Sequence, residues 1–305
     1  MRKAIKRGLL RVNSNLKYII LLWGVNTVFA ILLTGPIFLF LKESLQHNVQ
    51  ADKLTETFSY LWFIELNYQF REIIETLPII LIMAGIIFAL IQVFLLSGMY
   101  QILSGEAEKN HFIDFFYGCV RYFYRFFKVF CISVVCYVGL YFVNIVYLNY
   151  TDILSMNSES EFLIILFNLL RYSTIILLFG ILNLIFDYFR IRIVIHQNYN
   201  VLKDWWLSFK FVIKKFWRVS ILFWFFATIG IMLSIIHTQI NNYFNPTNYI
   251  TIFAIFILNQ LFIVTKIWVK LLFISSQIEY YRRIILASAK TVRVVQVEIP
   301  LQGVR

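Results

Sequence analysis

The chain has 305 residues, of which 60% are hydrophobic and 14% charged, and its mean hydropathy is +0.75. A soluble globular protein holds about 45–50% apolar and about 25% charged residues, so that class is excluded. The formal charge of +12 sits beside hydrophobic segments, where it reads as membrane topology before it reads as nucleic-acid binding.

The chain opens on a basic stretch in which Lys3, Arg7 and Arg11 recur at intervals of four, one face of a helix. An apolar run over 18–41 follows. It is too long for a cleavable signal, and Thr34-Gly35-Pro36 leads into more apolar sequence, so it reads as a retained signal-anchor span. Residues 42–77 form the longest outer loop. Within it, Phe58, Leu61, Trp62, Leu66, Phe70 and Ile73 separate from Glu65, Arg71, Glu72 and Glu75, which predicts an amphipathic surface helix over 58–77 closed by Pro78.

A second span covers 78–103. After Gly105-Glu106-Ala107-Glu108-Lys109 comes a second basic-aromatic stretch, Asp114–Lys128, with Arg121, Arg125 and Lys128 on one face. The third span, 129–148, is followed by a short polar connector and the fourth span, 163–189. That span holds Arg171 about 12 Å in at ~1.5 Å per residue, and Asp187 near its far end with Arg190 one turn on. A third basic-aromatic stretch, Asp204–Arg218, spaces Lys210, Lys214 and Arg218 by four ahead of the fifth span, 219–237. The sixth span, 249–276, carries Lys266 and Lys270. Past Tyr281 the chain is basic. Thr291–Ile299 alternates Val with polar residues as a strand would, but no partner strand is in reach, so 282–305 is expected to be a disordered tail.

The three basic stretches repeat one another. Asp114 matches Asp204, Phe115-Phe116 match Trp205-Trp206, and Arg125-Phe126-Phe127-Lys128-Val129 match Lys215-Phe216-Trp217-Arg218-Val219. Gly8 to Ile20 lies more faintly over Gly118 to Phe130, with Arg11 on Arg121. The returning spans correspond at an offset that sets Arg190 on Lys270 and Gln197 on Gln277. The expected fold is therefore an all-α polytopic bundle of six transmembrane helices. It forms three repeated pairs, about 1–103, 112–196 and 203–280, in one domain over 1–281, and each pair follows a basic-aromatic interfacial helix lying in the headgroup layer.

Orientation follows from counting. One side of the six spans carries 22 of the 28 Lys and Arg, and the other carries nine carboxylates, including Glu72, Glu75, Asp152, Glu159 and Glu161. The positive-inside rule places both termini in the cytoplasm of a multi-pass protein of the cell's inner membrane.

Polar side chains inside a bilayer are costly, and each is a functional hypothesis. Asp187 with Arg190, Lys266, Lys270 and Arg171 forms the candidate intramembrane ionic site; the bland reading of the same residues is a structural ion pair. Asn26, Gln92, Asn168, Asn183, Asn259 and Gln260 are candidates for bonds between helices. Arg7, Arg11, Arg121, Arg125, Lys128, Lys210, Lys214 and Arg218 are candidate contacts for anionic lipid headgroups. Cys119, Cys131 and Cys136 lack metal-ligand spacing and read as buried inert thiols. His47, His111, His196 and His237 are scattered. No phosphate loop, HExxH or GxSxG motif occurs, so no catalytic residue, metal or cofactor is expected.

The aromatic-basic helices at Asp114–Lys128 and Asp204–Arg218, the Asp-x-x-Arg at Asp187–Arg190 and the Ser208–Lys210 stretch resemble a bacterial group of six-span integral membrane proteins. That group is related to the membrane domain found beside glycerophosphoryl diester phosphodiesterases. The resemblance implies an inner-membrane helical bundle and brings no catalytic residues with it. The resulting expectation is a non-enzymatic membrane protein that associates with membrane lipids, chiefly anionic headgroups, or with a protein partner, and not with nucleic acid. The alternative is a small transporter or exporter working through the Asp187 site.

Overall fold

The computed structural model describes residues 1–46, 60–61, 64, 68, 70–105, 111–156, 160–197, 200–244 and 248–297. Its elements are α1 (Arg2–Asn13), α2 (Lys17–Gln46), α3 (Arg71–Ser104), α4 (Phe112–Met156), α5 (Glu161–His196), α6 (Val201–Lys214), α7 (Phe216–Tyr243) and α8 (Tyr249–Val297). Six of these helices are long and apolar enough to cross a membrane. Apolar runs of this length become helices because only a helix satisfies every backbone group within its own segment. The chain is an all-α, multi-pass membrane protein.

Several helices exceed what a bilayer needs. At ~1.5 Å per residue the 45 residues of α4 extend about 68 Å, against a hydrocarbon core about 30 Å thick. The excess of α4 is its basic-aromatic beginning, which is continuous with the span. The other two basic stretches lead into their spans through a brief irregularity. At residues 14–16, Ser14 and Asn15 side chains bond to the Arg11 carbonyl, competition with the backbone that these residue types favour. At Lys215 the backbone departs from helical geometry for one residue.

The order of contacts closes a ring. The three returning helices α3, α5 and α8 touch one another at the centre. Each outgoing helix lies outside them, against its own returning partner and one from a neighbouring pair: α2 on α3 and α8, α4 on α5 and α3, α7 on α8 and α5. The basic stretches continue this pattern, with α1 on α8, the start of α4 on α3, and α6 on α5. All three bury the same register: Gly8, Gly118 and Ser208; Val12, Tyr122 and Val212; Ile19, Val129 and Val219.

Close approach here depends on small residues. A Cβ on Gly8 would lie 2.9 Å from Ser276 Oγ, and one on Gly118 would lie 2.6 Å from the Gln101 Cβ. Small residues at a helix crossing let backbones approach closely.

The core sits at one end of the ring, where the returning helices finish and the basic stretches begin; we call this the basic end. It is built from 93–103 of α3, 115–129 of α4, 184–194 of α5 and 271–281 of α8. Towards the opposite end the apolar side chains are exposed, as at Ile79, Ile80, Val146, Phe162 and Ile250. Lipid tails solvate an apolar side chain as well as a neighbouring helix does, so burial brings no hydrophobic gain within the bilayer. Past the membrane surface water restores that gain, at about 25 cal/mol per Å².

One face of each basic stretch packs on a returning helix, α1 in opposed order along α8 at Lys3–Arg283, Gly8–Ser276 and Asn13–Trp268. Two sequence expectations are corrected. Pro78 does not close a surface helix but lies inside α3, which begins at Arg71. A membrane helix tolerates this because neighbouring groups re-satisfy the freed carbonyl. The remainder of the expected 58–70 surface helix lies largely outside the described residues. Finally, the chain from 282, expected as a disordered tail, continues α8 as helix to Val297; 298–305 lie outside the described residues.

Candidate functional site

Asp187 stands at the centre of the basic end, on the innermost face of the ring. Its Oδ1 lies 3.3 Å from Arg190 Nη1, one turn along α5. Its Oδ2 accepts a hydrogen bond from Gln277 Nε2 of α8 at 3.3 Å. Lys270, also on α8, acts electrostatically on the same carboxylate, and Tyr100 of α3 faces the Asp187–Arg190 pair. All three returning helices therefore contribute to one cluster. Two of its polar atoms, Tyr188 Oη and Gln277 Oε1, are buried without a hydrogen-bond partner among the described residues. Such an atom costs about 1–3 kcal/mol unless water or a ligand bridges it.

The five-residue candidate site is divided by the structure. Asp187, Arg190 and Lys270 converge. Lys266 lies one turn further into the membrane on α8, exposed, with its Nζ 5.3 Å from the centre of the Phe262 ring. Arg171 is sixteen residues back along α5, roughly 24 Å away at ~1.5 Å per residue. There it is buried and lies over the Tyr172 ring at 4.5 Å.

Two further ion pairs hold the basic end together, and the sequence reading paired neither. Arg192 of α5 reaches Asp204 Oδ1 of α6 at 3.4 Å and donates to Tyr281 Oη of α8 at 3.0 Å. Asp204 is fully buried, and His196 Nε2 lies 3.0 Å from the same tyrosine oxygen. Arg11 of α1 reaches Glu279 Oε1 of α8 at 3.1 Å and donates to the Leu103 carbonyl of α3 at 2.7 Å. The repeat did point to Asp204, through its match with Asp114. The two aspartates serve different ends, since Asp114 accepts the His111 backbone N–H at 3.0 Å at the start of α4.

The candidate headgroup contacts also separate. Arg7, Arg121, Lys128, Lys210, Lys214 and Arg218 are exposed. Arg11 is turned inwards onto Glu279, and Arg125 is half-buried. Arg121 donates to Gln197 Oε1 at 2.7 Å, and Lys128 Nζ lies 4.4 Å from the centre of the Tyr124 ring. Around these cations, Leu10, Phe116, Tyr117, Val120, Trp206 and Trp217 are exposed.

Most of the amides link helices. Gln92 donates to Asn26 at 2.6 Å, Tyr137 to Asn183 at 2.7 Å, and Trp23 to Gln260 at 2.9 Å; His237 Nε2 lies 2.7 Å from Asn259 Oδ1. Asn168 instead bonds its own helix at Ile164. Of the cysteines, Cys119 is buried, Cys136 is intermediate and Cys131 is exposed, which corrects the reading of all three as buried.

No family model matches the chain, and neither a curated protein nor a solved structure does. What can be concluded from six apolar helices arranged in this ring is that the protein is a multi-pass membrane protein.

Proposed function

We propose that the protein is a non-enzymatic integral membrane protein whose basic end holds anionic lipid headgroups. In this reading that end faces the cytoplasm, with both termini there, and the membrane is the inner one. The observation that carries it is the division of faces on the three basic stretches. One face of each is spent on a returning helix, while the other presents exposed cations beside exposed apolar side chains, which are aromatic on the second and third stretches. Cations beside an anionic leaflet contribute about 1 kcal/mol each, and tryptophan and tyrosine favour the same layer.

The engaged carboxylates at the ring's centre support this reading over chemistry or transport through Asp187. Asp187, Asp204 and Glu279 are each engaged by an arginine. A transporter working through Asp187 needs that carboxylate open to a substrate, and here both of its oxygens are engaged.

The test is lipid retention by the full chain purified from mixed membranes. Phosphatidylglycerol should co-purify in preference to phosphatidylcholine, and replacing Lys128, Lys210, Lys214 and Arg218 together by Gln should abolish the preference. Equal retention of both lipids by the unmodified protein would overturn the proposal.

A further inference from the structure

The seam between α7 and α8 is open to the lipid, and its polar groups are strung across the thickness of the membrane. Near the basic end it carries Lys270; one turn outward it carries Lys266. Beyond these the groove continues along α7 past Ser234, Thr238 and Gln239. The two sections share Ala227, Gly230 and Lys266, so they form one groove. Its outer section is a shallow, open depression along one face of α7, with Lys266 of α8 at its side. Apart from these residues its wall is apolar, with Phe223, Phe226, Val269 and Phe273 at the basic end.

Depth makes Lys266 unusual. It shares the groove with Ala227 and Gly230, which lie at the middle of the 28-residue α7. That helix is about 42 Å long at ~1.5 Å per residue, so Lys266 stands near the middle of the bilayer. No carboxylate pairs with it among the described residues. Charges at this depth almost always pair with one another or mark a pathway. A site that merely held a headgroup would place its cations at the surface, where Lys128 and Arg218 already are.

We propose that this seam is a path along which anionic phospholipid headgroups cross the bilayer, with their acyl chains remaining in the surrounding lipid. Lys270 receives the phosphate at the basic end, and Lys266 holds it at mid-depth. The hydroxyl hydrogens of Ser234 and Thr238 are already donated to the Gly230 and Ser234 carbonyls. Their oxygens therefore remain as acceptors for the hydroxyls of a glycerol headgroup, and Gln239 completes the path. No bond is made or broken, and no energy source is needed, because the movement is passive exchange between leaflets. The inference goes beyond the headgroup association proposed above and does not depend on it, since the two use different surfaces.

The experiment is leaflet exchange in vesicles containing the full chain, followed by dithionite quenching of a fluorescent phosphatidylglycerol. The protein should speed exchange of this lipid over empty vesicles. Lys266→Leu should slow the accelerated rate severalfold, because the phosphate then passes mid-depth without a counter-charge; Lys266→Arg should retain it. Gly230→Leu should also slow exchange, because a Cβ there meets nothing within 4 Å and the side chain fills the groove without disturbing the fold. Exchange no faster than in empty vesicles overturns the proposal, as does Lys266→Leu exchanging at the unmodified rate. If exchange fails while the phosphatidylglycerol preference persists, the path alone is refuted; the opposite outcome refutes only the headgroup association.

Discussion

Asp204 is the residue whose removal should most clearly weaken the ring. Its carboxylate is fully buried and meets Arg192, whose side chain is only 13% exposed. Breaking a buried pair by deleting one partner costs about 3–5 kcal/mol, because the other charge is left uncompensated. Two features reduce that figure here. The contact is a single one at 3.4 Å, and Arg192 keeps the Tyr281 hydroxyl at 3.0 Å. Asp204→Asn should therefore destabilise by roughly 2–3 kcal/mol, which is about a 30- to 150-fold rise in the unfolded population. The reporter is Cys119, which is buried between α3 and α4 and so becomes reactive on global opening rather than on local loosening of α6. With Cys131 and Cys136 replaced by Ser, the rate of thiol labelling in mild detergent follows that population. The double replacement Arg192→Met with Asp204→Leu should recover at least half of the loss, since an apolar pair leaves no charge behind. If Asp204→Asn labels at the unmodified rate, or if the double replacement labels no more slowly than Asp204→Asn, the pair does not hold α6 to α5 and the reasoning is wrong.

Helix spacing and topology supply the remaining predictions. Gly118→Leu should abolish assembly of the basic end, because its Cβ would meet Gln101 at 2.6 Å, whereas Gly139→Ala should be tolerated, because nothing lies within 4 Å of its added methyl; size-exclusion profiles of the two proteins check this, and a monodisperse Gly118→Leu protein would refute it. In intact cells, an impermeant thiol reagent should label Ser160→Cys and Tyr243→Cys but not His111→Cys in a cysteine-free background, and the reverse pattern would invert the proposed orientation.

How much of this was legible in the chain differs from residue to residue. The irregularity at 14–16 is written in Ser14 and Asn15, whose side chains compete for the Arg11 carbonyl. The unbroken course of α4 is likewise foreshadowed by 119–138, which holds neither glycine nor proline. The partner of Arg11 was not legible. Arg11 continues the four-residue spacing of the exposed Arg7, yet it reaches Glu279, 268 positions away, because ring closure brings α1 against α8. Arg192 was hidden for a related reason: unlike Arg190, it has no carboxylate one turn away, and only the approach of α6 supplies its partner.

Local composition by itself determined that apolar rods cross a membrane six times and that their positive charge gathers at one end, since transfer from water into lipid depends on each segment's own side chains. It also determined the repeated basic-aromatic beginnings, which follow from residue type at helical spacing. Tertiary structure alone decided which cations are exposed and which are locked into the centre, and that Lys266 is left exposed while Asp187 is engaged. Those outcomes depend on which helix lies beside which. Within a bilayer, that choice is made by close packing and a few polar contacts rather than by the hydrophobicity that dominates the sequence.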